Sequence, residues 1–127
     1  MVVVVNVPFS GQAGSKLRPA LVVSTDAFHG KLLDMLICPI SSQPRYFQRP
    51  GKGDRPLEYW RTVGLAHPST ARISNLLAVE KRLIKRVLGT LHAEDLARVE
   101  EGLIEAFGLK HALSSARRDA LRKTARD

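Results

Sequence analysis

The chain has 127 residues, of which 44% are hydrophobic, and its formal net charge is +8 at pH 7. This length predicts one domain with its own core, and the apolar content argues against a disordered chain. The apolar start, Met1–Val5, is too short to span a membrane, and no basic residue precedes it as in a secretory signal. The single cysteine, Cys38, cannot form an internal disulfide, so we expect a cytoplasmic protein.

The charge is unevenly distributed along the chain. Residues 1–92 contain 13 Lys/Arg against 5 Asp/Glu, residues 93–109 contain one arginine against five acids, and residues 110–127 contain six Lys/Arg against two aspartates. A basic body favours a polyanionic partner, of which RNA and DNA are the usual examples.

Short apolar runs separated by turn residues fill the first two-thirds of the chain. Their length and their valine and isoleucine content predict β-strands. The predicted strands are Met1–Val7, Ala20–Ser24, Leu32–Ile40 and Arg72–Val79, with a further short apolar stretch at Leu83–Leu88. Between them, Ser10–Lys16 contains two glycines and is predicted as a loop, and Pro44–Pro56 contains three prolines and two glycines and is predicted as a long exposed loop or hairpin.

The pattern then changes to that of a helix. Leu96, Val99, Leu103, Ile104 and Phe107 follow one another at spacings that place them on one helix face. Acids in the first turn and a glycine at position 108 fit the start and end of that helix. Strands followed by one helix predict a mainly β fold with α content, an α+β domain or small barrel, in residues 1–109. Residues 110–127 have few large apolar side chains and are expected to be a frayed basic tail.

Three ordered stretches carry a more specific signal. The first runs from Val5 to Ser24 and includes the segment Lys16-Leu17-Arg18-Pro19-Ala20-Leu21-Val22-Val23-Ser24. The second is Cys38-Pro39-Ile40-Ser41-Ser42-Gln43. The third contains Gly64-Leu65-Ala66-His67-Pro68-Ser69 and Arg72, followed by Leu77–Glu80 and Leu88-Gly89-Thr90-Leu91.

Together these stretches, over residues 3–109, resemble the MazF/PemK toxin family of type II toxin–antitoxin systems. The resemblance implies an SH3-like antiparallel small barrel of the CcdB/Kid/PemK type with a C-terminal helix. It also implies an mRNA interferase, which is an endoribonuclease that cuts single-stranded RNA without a metal and is restrained by an antitoxin protein. A homodimer is implied as well, and a second copy would cover the valine-rich first strand if that strand were an exposed edge.

The resemblance also suggests which residues form the site. The arginine of the family's Arg-Pro motif maps to Arg18 and the threonine of its Pro-Ile-Thr strand maps to Ser41, so these are the predicted catalytic residues. A guanidinium suits phosphate oxygens and stays charged, while serine keeps the hydroxyl that threonine would supply. The predicted substrate-binding residues beside them are Lys16, Ser42, Gln43 and Arg45.

The other chemistry-bearing residues predict neither a metal site nor a cofactor. The four histidines are scattered without the spacing of metal ligands, and Cys38 is expected to be buried in a strand. His67 is interpreted as a surface-turn histidine and Trp60 as a core residue. One departure from the family leaves the general base unassigned: its first loop often carries an acid or a histidine, whereas this one has Ser10, Gly11 and Gln12.

Two alternatives share the predicted fold. A CcdB-like toxin binds DNA gyrase and needs no phosphate site, but such proteins typically end in a tryptophan-bearing helix and this chain ends in Arg126-Asp127. A catalytically degenerate member would bind RNA or an antitoxin without cutting. The pairing of Arg18-Pro19 with Ser41-Ser42 favours the nuclease over the gyrase binder.

Overall fold

A computed structural model of the protein describes residues 1–8 and 14–109. Residues 9–13, which include the first part of the predicted loop Ser10–Lys16, and the predicted tail, residues 110–127, lie outside this description. The elements in chain order are β1 Val2–Pro8, β2 Ser15–Val22, α1 Asp26–His29, β3 Asp34–Ser41, α2 Pro44–Gln48, β4 Asp54–Pro56, β5 Thr70–Arg72, β6 Leu77–Glu80, β7 Ile84–Gly89 and α3 Ala93–Phe107, with 3-10 turns at Ile73–Asn75 and Lys81–Leu83.

All strand pairs in the described chain are antiparallel and build one seven-stranded sheet. The strand order is β4-β5-β3-β2-β1-β7, and β6 pairs with β3 next to β5. The predicted mainly β fold with a C-terminal helix is confirmed. Within the described residues, however, β4 and β7 do not pair with each other, so the sheet is open where a closed barrel was expected.

The position of β1 corrects one premise of the sequence analysis. The valine-rich β1 lies between β2 and β7, with Val5 opposite both Arg18 and Ile84, so it is not an edge strand. Because both edges of β1 are paired, a second copy is not needed to cover it.

Side chains alternate between the two faces of the sheet and form two apolar clusters. The first cluster lies under α3 and contains the buried residues Val2, Leu21, Cys38, Ile40, Leu57, Val63, Ala71, Ile73, Leu91 and Val99. The second lies on the other face and contains Val3, Val5, Ala20, Met35, Ile37 and Val79. Alternate residues of one strand therefore serve different cores, and this fixes the strand register.

Helix α3 begins and ends as its sequence predicts. The His92 side chain accepts a hydrogen bond from the Glu94 amide at the N-terminus, and Gly108 ends the helix with a φ of 68°. A positive φ of this kind is readily adopted by glycine and ends many helices. None of the helices in the described residues is long and apolar enough to cross a membrane.

Three predicted boundaries are wrong for local reasons. The predicted loop Pro44–Pro56 contains α2 and β4, and Pro44 occupies the first turn of α2, where its fixed φ suits a helix. Strand β2 was predicted to begin after Pro19 but begins at Ser15. Its ladder with β3 runs only from Ala20 to Val22, so the edge of β2 on that side is unpaired at Pro19 and tolerates a residue without an amide hydrogen. The predicted strand Arg72–Val79 is divided by the 3-10 turn Ile73–Asn75.

Candidate active site

The site predicted from Arg18 and Ser41 lies where β2 and β3 separate. The two strands pair at Ala20 with Pro39, Leu21 with Cys38 and Val22 with Ile37, and the ladder stops at Ala20. If the same register continued past its last pair, it would set Arg18 opposite Ser41 and Lys16 opposite Gln43. Arg18 and Lys16 lie in the part of β2 that pairs with β1 alone, and Ser41 is the last residue of β3.

The faces of the strands agree with this arrangement. Arg18 is the cross-strand partner of Val5, which belongs to the second cluster, so alternation places Arg18 at the end of that cluster. Ser41 shares a face with Ile37 of the same cluster. Arg18 and Ser41 are both partly exposed and Lys16 is exposed, so a ligand from solvent can reach all three.

Ser41 is fixed by contacts on both sides of its strand. Its Oγ accepts a hydrogen bond from the Gln43 amide at 3.2 Å, which leaves the hydroxyl hydrogen for another acceptor. Its backbone pairs with Thr70 of β5. The Thr70 hydroxyl is fully buried and has no hydrogen-bond partner among the described residues.

Helix α2, which follows the site, is held by a group of side chains that the sequence analysis missed. The guanidinium carbon of Arg72 lies 3.6 Å from the centre of the Tyr46 ring, a cation–π contact. Arg72 Nε also donates to the buried Asp54 carboxylate at 2.8 Å, and Asp54 accepts from the Gly51 amide at 2.8 Å. Pro44 after a polar residue could have indicated a helix start, but no short-range signal pairs Arg72 with Asp54 or Tyr46.

The remaining predicted binding residues occupy different surroundings. Gln43 precedes α2 as its N-cap residue and is exposed. Arg45 donates to the Tyr46 hydroxyl at 2.6 Å and lies over the ring of the same residue. Arg45 is therefore oriented along α2 and is not brought to Arg18 and Ser41.

A cavity of about 640 Å³ opens next to Ser41, between α2 and the turn before β5. It is lined by Ser42, Pro44, Phe47, Gln48, His67 and Pro68. Three of these residues are apolar and the others offer a hydroxyl, an amide and an imidazole, which is the mixture expected of a ligand pocket. The predicted surface-turn histidine, His67, is exposed, as expected, but it also faces this cavity.

The other residues singled out in the sequence have structural explanations. Cys38 is buried as predicted, and burial raises the pKa of its thiol to about 12. His29 Nδ1 lies 2.7 Å from Ser24 Oγ, and His92 stacks on Tyr59 with ring centres 3.7 Å apart. Trp60 is partly buried against the first cluster. Residues 1–8 and 14–109 contain no group of three His, Cys, Asp or Glu side chains placed to hold a metal ion.

Solved structures share this fold. A MazF-mt6 toxin from Mycobacterium tuberculosis superposes with a TM-score of 0.63 at 20% identity, covering 84% of this chain and 96% of that one. The MazE–MazF complex (Form-III) from Deinococcus radiodurans matches with a TM-score of 0.63 at 26% identity over 84% of this chain and 92% of the other. An endoribonuclease from a mycobacterial species, in complex with its cognate antitoxin, matches with a TM-score of 0.63 at 16% identity over 85% and 92%.

The sequence gives an independent assignment. No curated protein matches the chain significantly. The profile of the family described as PemK-like, MazF-like toxin of type II toxin–antitoxin system matches residues 1–107, which include every strand and helix of the structure. The chain therefore belongs to the PemK-like, MazF-like toxin family of type II toxin–antitoxin systems.

Proposed function

We propose that this toxin is an endoribonuclease that cuts single-stranded RNA in the cytoplasm without a metal ion. The observation that supports the proposal is the register of β2 and β3, which, if continued past its last pair, would set Arg18 opposite Ser41. Basic residues around this point, Lys16 among them, favour a phosphate backbone as the ligand.

The chemistry available to such a site is transfer of the phosphodiester to the neighbouring 2′-hydroxyl. The 2′-oxygen attacks phosphorus, the bond to the 5′-oxygen breaks, and the products are a 2′,3′-cyclic phosphate and a free 5′-hydroxyl. Negative charge grows on the phosphate oxygens during this step, and preorganised donors aimed at that charge are usually the largest contribution to the rate.

Arg18 is the proposed charge stabiliser. A guanidinium can give two parallel hydrogen bonds to the non-bridging oxygens, and it stays protonated at any physiological pH. The same high basicity makes it a poor proton donor, so Arg18 is assigned to charge stabilisation and not to proton transfer. It takes the place that a divalent cation has in metal-dependent nucleases.

Ser41 is the proposed second donor. Because its Oγ already accepts from the Gln43 amide, its own hydrogen can be directed at a phosphate oxygen. The amide also polarises the hydroxyl, which makes it a better donor. Lys16, Ser42 and Gln43 are proposed to hold the RNA backbone or base edges around the cut, and Arg45 would have to leave Tyr46 in order to join them.

An antitoxin protein and a second copy of the chain are the proposed protein partners. Two of the similar structures are a MazE–MazF complex and an endoribonuclease bound to its cognate antitoxin, which supports the first. The family resemblance supports the homodimer. The domain formed by residues 1–109 is proposed to carry all of these activities, with residues 110–127 as an accessory basic tail.

The test is to incubate the purified protein with a long single-stranded RNA in EDTA and to analyse the ends of the products. We expect cleavage that leaves a cyclic phosphate or 3′-phosphate and a 5′-hydroxyl. Removing one charge-stabilising donor costs about 10²–10³ in rate, so Arg18→Ala should be nearly inactive and Ser41→Ala clearly slowed.

A matched control tests whether the loss of any exposed arginine would slow cleavage as Arg18→Ala is expected to do. Arg86 is exposed on β7 and pairs with Val4, whereas Arg18 pairs with Val5, so the two arginines start from opposite faces of the sheet. Arg86→Ala removes the same charge and should keep the turnover rate. Activity that requires added divalent metal, or near wild-type turnover of Arg18→Ala, would contradict the proposal. RNA binding without cleavage would identify a degenerate family member.

A further inference from the structure

We propose that His67 is the general base that removes the 2′-hydroxyl proton of the RNA. This inference rests on the ribonuclease function proposed above and assigns a group to a step that Arg18 and Ser41 leave open. A guanidinium stays protonated and a serine hydroxyl is weakly basic, so neither can accept that proton at neutral pH.

The turn that carries His67 is fixed next to Ser41. Ser69 is buried, and its Oγ donates to the His67 carbonyl oxygen at 2.7 Å. Pro68 restricts the backbone between them. The next residue, Thr70, pairs directly with Ser41. The rigid segment from His67 to Thr70 therefore connects the imidazole to the strand that contacts the proposed catalytic serine.

The cavity provides the route from the imidazole to the site. It is about 640 Å³ in volume, with His67 on one wall and Ser42, the neighbour of Ser41, on another. Pro44, Phe47 and Pro68 give it apolar walls on which a nucleobase can lie. A nucleotide held there would contact His67 and Ser42, the neighbour of the proposed catalytic Ser41.

Of the three histidines in the described residues, His67 is the one with an uncommitted imidazole. His29 is buried and contacts Ser24 and Asp26, and His92 caps α3 and stacks on Tyr59. The His67 ring makes no hydrogen bond to residues 1–8 or 14–109. The bound RNA can therefore orient the His67 ring for the reaction.

The groups that face His67 across the cavity are uncharged. Helix α2 contributes Pro44, Phe47 and Gln48, and the end of β3 contributes Ser42. The nearest cation on α2, Arg45, donates to the Tyr46 hydroxyl and does not line the cavity. Neutral imidazole is the side-chain base best matched to proton transfer near neutral pH.

The step balances without a further reactant. An imidazole nitrogen of His67 accepts the 2′-hydroxyl proton as the 2′-oxygen forms its bond to phosphorus. The bond from phosphorus to the 5′-oxygen breaks, and that oxygen takes a proton from water at the exposed site. The imidazolium returns its proton to solvent before the next turnover.

The experiment measures kcat/KM for RNA cleavage between pH 5 and 9, in EDTA, for the wild type, His67→Ala and His67→Gln. The wild-type rate should rise with pH to a plateau, because only the neutral imidazole can accept a proton. In both variants the plateau rate should fall by about 10²–10⁴-fold, and the rate should no longer rise with pH. Binding of an uncleavable 2′-deoxy oligonucleotide should stay the same, and added imidazole should partly restore His67→Ala.

The control is His92→Asn, which removes a titrating ring but keeps a good N-cap for α3 and should keep the wild-type pH profile. Wild-type rates in His67→Ala, or weakened oligonucleotide binding that accounts for the whole loss, would overturn the assignment of His67 alone. If the wild-type rate instead falls at high pH and the His67 variants lose that fall, the assignment is also overturned, because a decrease at high pH identifies a proton donor. Absence of cleavage by the wild type would overturn the proposed function and this inference together.

Discussion

Thr70 is a fully buried residue whose hydroxyl has no partner among the described residues, although it sits beside Ser41. A buried donor left unsatisfied costs about 1–3 kcal/mol, and valine has the same shape without the hydroxyl. We therefore expect Thr70→Val to raise the free energy of unfolding by about 1 kcal/mol, measured by urea denaturation. A loss of stability would show that the hydroxyl is satisfied in solution. A gain in stability with slower cleavage would show that the hydroxyl helps to position the neighbouring Ser41.

Cys38 is buried in β3, and desolvation raises the pKa of its thiol to about 12 while a backbone hydrogen bond involving Arg72 acts weakly in the opposite direction. A raised pKa lowers the fraction of reactive thiolate at every pH below it, so the folded protein should resist alkylation. At pH 8, mass spectrometry should detect slow labelling by iodoacetamide in buffer and rapid labelling in urea. Equal rates in the two conditions would contradict burial of this side chain.

At this scale, sequence reasoning can propose a role where a residue belongs to a local motif. Arg18 and Ser41 could be proposed as site residues because each lies in a short run of characteristic residues. The contacts of Arg72 with Asp54 and Tyr46 are not recognisable in this way, because they join segments 18 or more residues apart and depend on how α2 packs on the sheet. His67 lies in a motif, but the role proposed for it rests on a cavity that the sequence does not display.

Among the elements, α3 depends on one buried carboxylate. Asp95 is 1% exposed and accepts hydrogen bonds from the amides of Glu58 and Tyr59, both at 2.9 Å, while Arg98 forms an ion pair with it. It thereby joins the first turn of the helix to the segment after β4, 36 residues earlier. The acid that helps to start α3 also anchors a distant loop.

Asp95→Ala should therefore destabilise the protein more than loss of an ordinary first-turn acid. Two buried amides lose a charged acceptor, and hydrogen bonds to charged groups contribute about 1.5–3 kcal/mol each. We expect a loss of about 3 kcal/mol in the free energy of unfolding. The control, Glu101→Ala at an exposed site of the same helix, should stay within about 0.5 kcal/mol. Equal effects of the two substitutions would contradict the anchoring role.

The elements also show what periodicity can and cannot predict. The apolar spacing from Leu96 to Phe107 predicted α3 because a one-sided helix has a pattern of its own. The five-residue α2 is too short for such a pattern, and the prolines and glycines of the segment Pro44–Pro56 suggested a loop. Gly102 in α3 looks unfavourable by helix propensity, yet a Cβ there would lie 2.2 Å from Ile73 Cδ1. Close packing explains that glycine, and packing is not visible in a single sequence.

At the scale of the whole molecule, the proposed homodimer requires an interface. The structure offers a candidate interface that does not involve β1. A groove of about 440 Å³ lies between the sheet and the end of α3, lined by Val23, Leu36, Leu76, Leu77, Ala78, Leu103 and Phe107. Leu36 and Phe107 are 39% and 63% exposed. Clustered apolar side chains of this kind on a small protein mark an interaction surface.

We expect light scattering at micromolar concentration to give about twice the 14.0 kDa mass of one chain. Phe107→Glu should shift the protein towards monomer, because it would bury a charge in the contact. Val87→Glu changes an equally exposed apolar residue on β7 and should leave the dimer intact. A monomer mass for the wild type, or a dimer that Val87→Glu breaks and Phe107→Glu does not, would contradict this surface.

Residues 110–127 are expected to strengthen the proposed binding of RNA. They contain six Lys/Arg and two Asp, with Leu113 and Leu121 as their large apolar residues, so the sequence favours a role in charge over a role in packing. Each phosphate contact with a single strand contributes about 0.7 to the salt slope of binding, so removing these residues should lower the slope by at most about 4. RNA binding should weaken at low salt while the positions of cleavage stay the same, because the proposed site lies in residues 16–67.

If Leu113 and Leu121 instead pack against the rest of the protein, truncation will lower the melting temperature and leave the salt slope unchanged. Measuring the slope and the melting temperature on the same truncated protein separates the two roles.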